Sequence, residues 1–139
     1  MEAKIAYLGF IQGIITRIGG NSFLLKGWSV SMVVAIFALA PKDADKRFVL
    51  IAYVPILMFW LLDAFFLHQK RLFRHLFDAV ANDRISSDRF TLDTTSVRPE
   101  VGHFLAWTTS RAILPFHFGL AAMVLFAIFV LAKGVPIVA

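Results

Sequence analysis

The chain contains no cysteine, which removes disulfides, thiolate nucleophiles, iron-sulfur clusters and zinc-thiolate sites together. Charge is scarce as well. Asp, Glu, Lys and Arg make up only 17% of 139 residues, and the 9 acidic groups are outnumbered by 14 basic ones. No Ser, His and carboxylate set, glycine-rich phosphate loop or metal motif is present, so neither an enzyme nor a cofactor is expected. Internal repeats and low-complexity segments are missing too. A cleavable signal peptide is not expected, because Glu2, Lys4, Gln12 and Arg17 interrupt the first apolar positions and no small-residue cleavage site follows.

What the chain does have is apolar length. Hydrophobic residues account for 59% of it and 15 are Phe, more than a soluble domain of this size needs. Residues 48–67 read FVLIAYVPILMFWLLDAFFL, with Asp63 the sole charge. A helix rises ~1.5 Å per residue, so this stretch covers the ~30 Å hydrocarbon core of a bilayer. Residues 23–40 form a shorter span, preceded by Asn21 and Ser22, stopped by Pro41, and carrying Lys26 close enough to its end to reach headgroups. Residues 112–132 form the third, bracketed by Arg111 and Lys133, with Pro115 in its first turns where a missing donor is tolerated.

Lysine and arginine orient the three spans. Lys4, Arg17, Lys26, Lys70, Arg71, Arg74, Arg84, Arg89, Arg98 and Arg111 fall on one side, ten of the 14; Lys42, Lys46, Arg47 and Lys133 fall on the other. The positive-inside rule makes the N-terminus and the long second loop cytoplasmic and the C-terminal tail periplasmic, in a multi-pass bacterial inner-membrane protein. The formal net charge of +5 then points to anionic lipid headgroups as the partner, not to nucleic acid.

The cytoplasmic parts carry patterns of their own. Across residues 1–20, Ile5, Leu8, Ile11, Ile15 and Ile18 recur at helical spacing, which predicts an amphipathic helix ended by Gly19 and Gly20. Ala6, Gly9 and Gly13 add a strip of small residues that permits close helix approach. Residues 68–83 read as a helical extension of the second span, with Leu72, Phe73, Leu76, Phe77 and Val80 on one face. The two stripes are expected to pack on each other, the competing arrangement being helices flat on the headgroups. Residues 84–98 are polar and aperiodic and read as a loop, after which a helix containing Pro99 and Glu100 is expected to feed the third span. The expected fold class is therefore all-α: an integral membrane protein with three transmembrane helices, an N-terminal amphipathic helix and a cytoplasmic helical extension.

Asp63 is the sharpest chemical signal, because an ionisable group inside a span is costly without a partner. Lys26 and Arg111 lie at the same level of the membrane, which predicts an intramembrane ion pair; the competing reading, a gate or ion path, needs a polar lining of which only Ser22, Lys26 and Ser29 are candidates. His117 reads as a hydrogen bond to a neighbouring helix in preference to a proton relay. His68 and His75 share a helix face, without a third residue spaced to complete a metal site. Arg84, Arg89, Arg98 and His103 are candidates for an anion or nucleotide contact, weighed against a solvated basic loop facing lipid. Arg98 and His103 also match the R-x4-H spacing of certain helical ribonucleases, a spacing common by chance among so many arginines. Trp28, Trp60 and Trp107 fall near span ends, as interfacial aromatics do.

Gln12 to Arg17 (QGIITR), Asn21 to Trp28 (NSFLLKGW), Trp60 to Asp63 (WLLD) and Gln69 to Arg74 (QKRLFR) resemble a group of small bacterial membrane proteins, the Asn-Ser-Phe-x-x-Lys-x-Trp element being the most specific part. In size and layout the chain is also similar to the transmembrane effectors of anti-phage signalling systems. That resemblance implies a non-enzymatic homo-oligomer that permeabilises or depolarises the inner membrane when a cytosolic sensor protein or nucleotide signals. The alternative is a structural or regulatory membrane anchor subunit for a cytosolic partner.

Overall fold

A computed structural model describes residues 1–40 and 46–132, of which Lys46, Leu131 and Ala132 are described by their backbone alone. Among the described residues 84% are helical and none is in a strand. The helices are α1 (Glu2–Leu39), α2 (Lys46–Val49), α3 (Tyr53–Ala81), α4 (Arg98–Val101) and α5 (Leu114–Ala132), with short 3-10 turns at Leu50–Ala52, Ser87–Arg89, Thr95–Val97 and Phe104–Trp107. Two runs, Glu2–Leu39 and Arg47–Ala81, are long and apolar enough to cross a membrane, and Leu114–Val130 is a shorter apolar helix. The expected stop at Pro41, most of the first loop, Lys133 and the C-terminal tail lie outside the described residues.

Four element boundaries differ from the sequence expectations. Gly19 and Gly20 do not end the first helix, which runs unbroken to Leu39. A glycine inside a helix costs only about 1 kcal/mol relative to alanine, and neither proline nor a left-handed residue follows to enforce a stop. The expected span 48–67 begins as α2, passes through the 3-10 turn Leu50–Ala52 and becomes regular only in α3, where Pro55 sits in the first turn. A proline ring crowds the carbonyl four residues earlier, and the tighter turn relieves that contact. α4 stops at Gly102, whose φ of 77° is a conformation glycine adopts without strain, so it does not feed the last helix. α5 itself starts at Leu114, after a turn in which Ser110 Oγ accepts from the Ala112 amide and the Ser110 carbonyl accepts from Ile113 and Leu114.

The chain divides into two compact units, and α1 and α3 each contribute to both. The first unit comprises Met1–Leu24 and Ala64–Trp107. Its core is Tyr7, Ile11 and Ile15 from α1 against Leu76, Ala79 and Val80 from α3, closed by Val97. The buried face of the N-terminal segment is thus rotated from the expected stripe: Tyr7 is buried, whereas Ile5 is 63% exposed. α3 ends in a Schellman motif without glycine. The Arg84 amide donates to the Ala79 carbonyl and the Asp83 amide to the Val80 carbonyl, with Asp83 in the left-handed region at φ 56°. Lys4 holds this end, its ammonium 3.0 Å from the Ala81 carbonyl and 2.7 Å from the Asp83 carboxylate.

The second unit comprises Leu25–Asp63 and the chain from Thr108 onward. Val33 of α1, Val49, Ala52 and Ile56, and Leu120 and Val124 of α5 form its core. Tyr53 Oη donates to the Ala121 carbonyl at 3.1 Å and Trp60 Nε1 to the Thr108 carbonyl at 2.9 Å, so both polar aromatics are satisfied.

Candidate functional site

In the second unit α1, α3 and α5 bring Lys26, Asp63 and His117 together. Lys26 Nζ lies 2.5 Å and His117 Nε2 3.2 Å from the same oxygen, Asp63 Oδ2. The carboxylate is 1% exposed and the imidazole 3%, while the lysine side chain keeps 24% of its surface. The Phe116 ring lies 5.9 Å from the Lys26 ammonium and packs edge-on against the His117 ring. With Asp63 accepting, a neutral imidazole at this position carries its hydrogen on Nε2 and keeps the lone pair of Nδ1. His117 Nδ1 and the buried Ser29 Oγ have no hydrogen-bond partner among the described residues.

Ser29 follows Lys26 by one helical turn, so these two polar residues share a stripe with the core residue Val33. Beside the cluster is a cavity of about 320 Å³ whose wall includes His117, Tyr53, Trp60 and Phe118. Chemically, the arrangement is a buried carboxylate with two donors converging on one oxygen and one unspent proton-accepting nitrogen.

Arg111, expected at the same level, is exposed and forms no ion pair among the described residues. The reason is the late start of α5, which leaves Arg111 in the preceding turn and puts His117 on the helix face toward Asp63. No family model, curated protein or solved structure matches this chain. The site is therefore read from its own geometry.

The four basic candidates of the first unit line two depressions. Arg84 and Arg89 line one depression of about 440 Å³ together with Ser86, Thr91 and Asp93, whereas Arg98 and His103 line another of about 230 Å³ with His68. The expected four-residue anion contact is thus split. Glu100 accounts for part of this, because its carboxylate binds Arg84 Nη1 and His75 Nδ1, each at 3.2 Å. The hydrogen bond from His75, followed by the Arg84 charge, holds the Glu100 carboxyl below its usual range. Asp93 is held low chiefly by the Thr95 hydroxyl and amide, and adds negative charge to the larger depression.

His68 does not face His75's partner; its Nε2 lies 3.0 Å from the Gly102 carbonyl. Among the described residues no group of three or more His, Cys, Asp or Glu is placed to hold a metal ion. Ala6, Gly9 and Gly13 are exposed, and a Cβ added at Gly9 or Gly13 would meet nothing within 4 Å. Sequence reasoning missed Tyr7, whose hydroxyl donates to the Thr91 carbonyl and whose ring packs 5.2 Å from that of Phe90, itself held at a φ of 43°. Burial raises the Tyr7 phenol above its ordinary range.

Proposed function

We propose that this chain is a multi-pass bacterial inner-membrane protein with three spans, residues 23–40, 48–67 and 112–132. The N-terminus and residues 68–111 are cytoplasmic, and the C-terminus is periplasmic. The observation that carries the membrane reading is an inside-out distribution of polarity in the second unit. Trp28, Val34 and Leu39 of α1 and Phe118, Met123, Leu125 and Phe126 of α5 are exposed, whereas Asp63 and His117 are buried. Water penalises both features; a bilayer favours the first and demands the second.

Within the membrane the chain acts as a non-enzymatic effector: a homo-oligomer that permeabilises or depolarises the bilayer on a cytosolic signal, in the manner its likeness to anti-phage effectors implies. Exposed Gly9 and Gly13, with open space above them, support close approach of a second subunit. The test is expression in a bacterial host with a potential-sensitive dye, paired with native mass in mild detergent. Loss of potential and a mass of several subunits are expected. An unchanged potential together with co-purification of one soluble protein at fixed stoichiometry would replace this reading with an anchor subunit.

A further inference from the structure

The Lys26, Asp63 and His117 cluster contains more ionisable groups than an ion pair between helices requires. A purely structural ion pair is complete when the carboxylate meets the lysine. Here a second ionisable group, His117, is brought to the same oxygen, and its other ring nitrogen stays buried and unpartnered among the described residues. An unspent polar atom inside an apolar unit is costly, so its retention calls for a use. Among the described residues, the titratable side chains around the imidazole are Asp63 from α3, Lys26 from α1 through that carboxylate, and Tyr53, whose hydroxyl is committed to the Ala121 carbonyl.

We infer that this cluster is a proton-exchange site and that the ion the protein passes is the proton, an inference that rests on the effector reading above. A proton added at His117 Nδ1 makes an imidazolium, and the adjacent carboxylate offsets its charge. Release runs the other way: the Nε2 hydrogen moves to Asp63 Oδ2, Lys26 gives up one of its hydrogens to water, and the Asp63 hydrogen replaces it. One proton has entered at Nδ1 and one has left at Nζ, with charges and hydrogens balanced. The ring is left protonated on Nδ1 and must rotate or exchange before the next passage. Lys26 suits the outer position because it alone of the three retains substantial exposure. Among the described residues of the second unit, the buried polar side chains besides Asp63 and His117 come down to the Ser29 hydroxyl on the α1 stripe, which favours a hopping proton over a hydrated ion.

The test uses the full chain in proteoliposomes under an imposed potential, with an internal pH dye read in parallel with potassium and small-dye release. Proton flux without potassium or dye release is expected, falling roughly tenfold or more in His117→Gln, in which no second nitrogen can relay. The mass of each variant in detergent checks that assembly is unchanged. Potassium and dye leaking as fast as protons, or His117→Gln conducting like the parent, would overturn the inference while leaving the effector reading standing. No leak of any kind would end the effector reading. The site itself is then judged on nitrogen chemical shifts of labelled His117 in nanodiscs: passage from the Nε2-H tautomer to the doubly protonated ring on acidification upholds proton exchange, and unchanged shifts overturn it.

Discussion

Replacing Asp63 by Asn removes the charge on which both Lys26 and His117 converge while keeping the side chain's shape. Removing one partner of a fully buried ion pair costs about 3 to 5 kcal/mol. Asp63 and His117 meet that description at 1% and 3% exposure, but Lys26 at 24% can turn its ammonium toward solvent, which places the expected loss near the lower end, about 3 kcal/mol. Lys26→Met should cost a similar amount, because it strands the carboxylate. The double variant should cost less than the sum of the two, since neither residue is then a stranded charge, giving a coupling of about 2 kcal/mol. Denaturant or thermal unfolding in a fixed detergent micelle, followed by circular dichroism, supplies the four corners of the cycle. Additivity to within about 0.5 kcal/mol would show that the two residues are uncoupled and hence screened by water, contrary to a buried pair.

Three further outcomes are expected. Tyr7→Phe should destabilise the first unit by about 1 to 2 kcal/mol, because the Thr91 carbonyl loses its donor; hydrogen exchange in residues 84–97 should rise, and unchanged protection would show the bond to be inconsequential. Since the Glu100 carboxyl is held low, its contribution to stability is complete above the usual carboxylate range and is lost as pH falls through the depressed value. Melting temperatures of Glu100→Gln and the parent should therefore differ near neutrality and converge in acid. A Cβ at Gly13 meets nothing within 4 Å, so Gly13→Leu should leave the monomer as stable or more stable by up to about 1 kcal/mol while lowering the native mass; an unchanged mass would rule out this strip as a subunit contact.

Lys26 and Asp63 were legible as partners because charges within apolar runs are few and must meet. His117 was not legible as the second partner. The choice between it and Arg111 depends on where α5 begins, and that is decided by the local turn at Ser110 rather than by hydrophobic length. The packing of the N-terminal segment on α3 followed from two apolar stripes of similar length, yet the stripe's phase did not, because Tyr7 counts as polar in a simple pattern but buries its ring and bonds through its tip. Helix ends were read worst. Gly19 and Gly20 look like a stop and are not one, and Asn82 and Asp83 make a Schellman cap without the expected glycine. Around the anion candidates the missing signal is of a different kind: sequence proximity of Arg84, Arg89, Arg98 and His103 says nothing about Glu100, which draws Arg84 and His75 to itself.

Both the effector activity and the proton-exchange site require the chain to cross a bilayer three times. Because the parent contains no cysteine, single cysteines can be placed without background, at Asp88 in the arginine-rich segment and at Ala139 at the C-terminus. Labelling intact cells with a membrane-impermeant maleimide should modify Ala139→Cys, once the outer membrane is permeabilised, and leave Asp88→Cys untouched until the inner membrane is broken. Labelling of both positions, or of neither, before the inner membrane is broken would contradict the three-span topology.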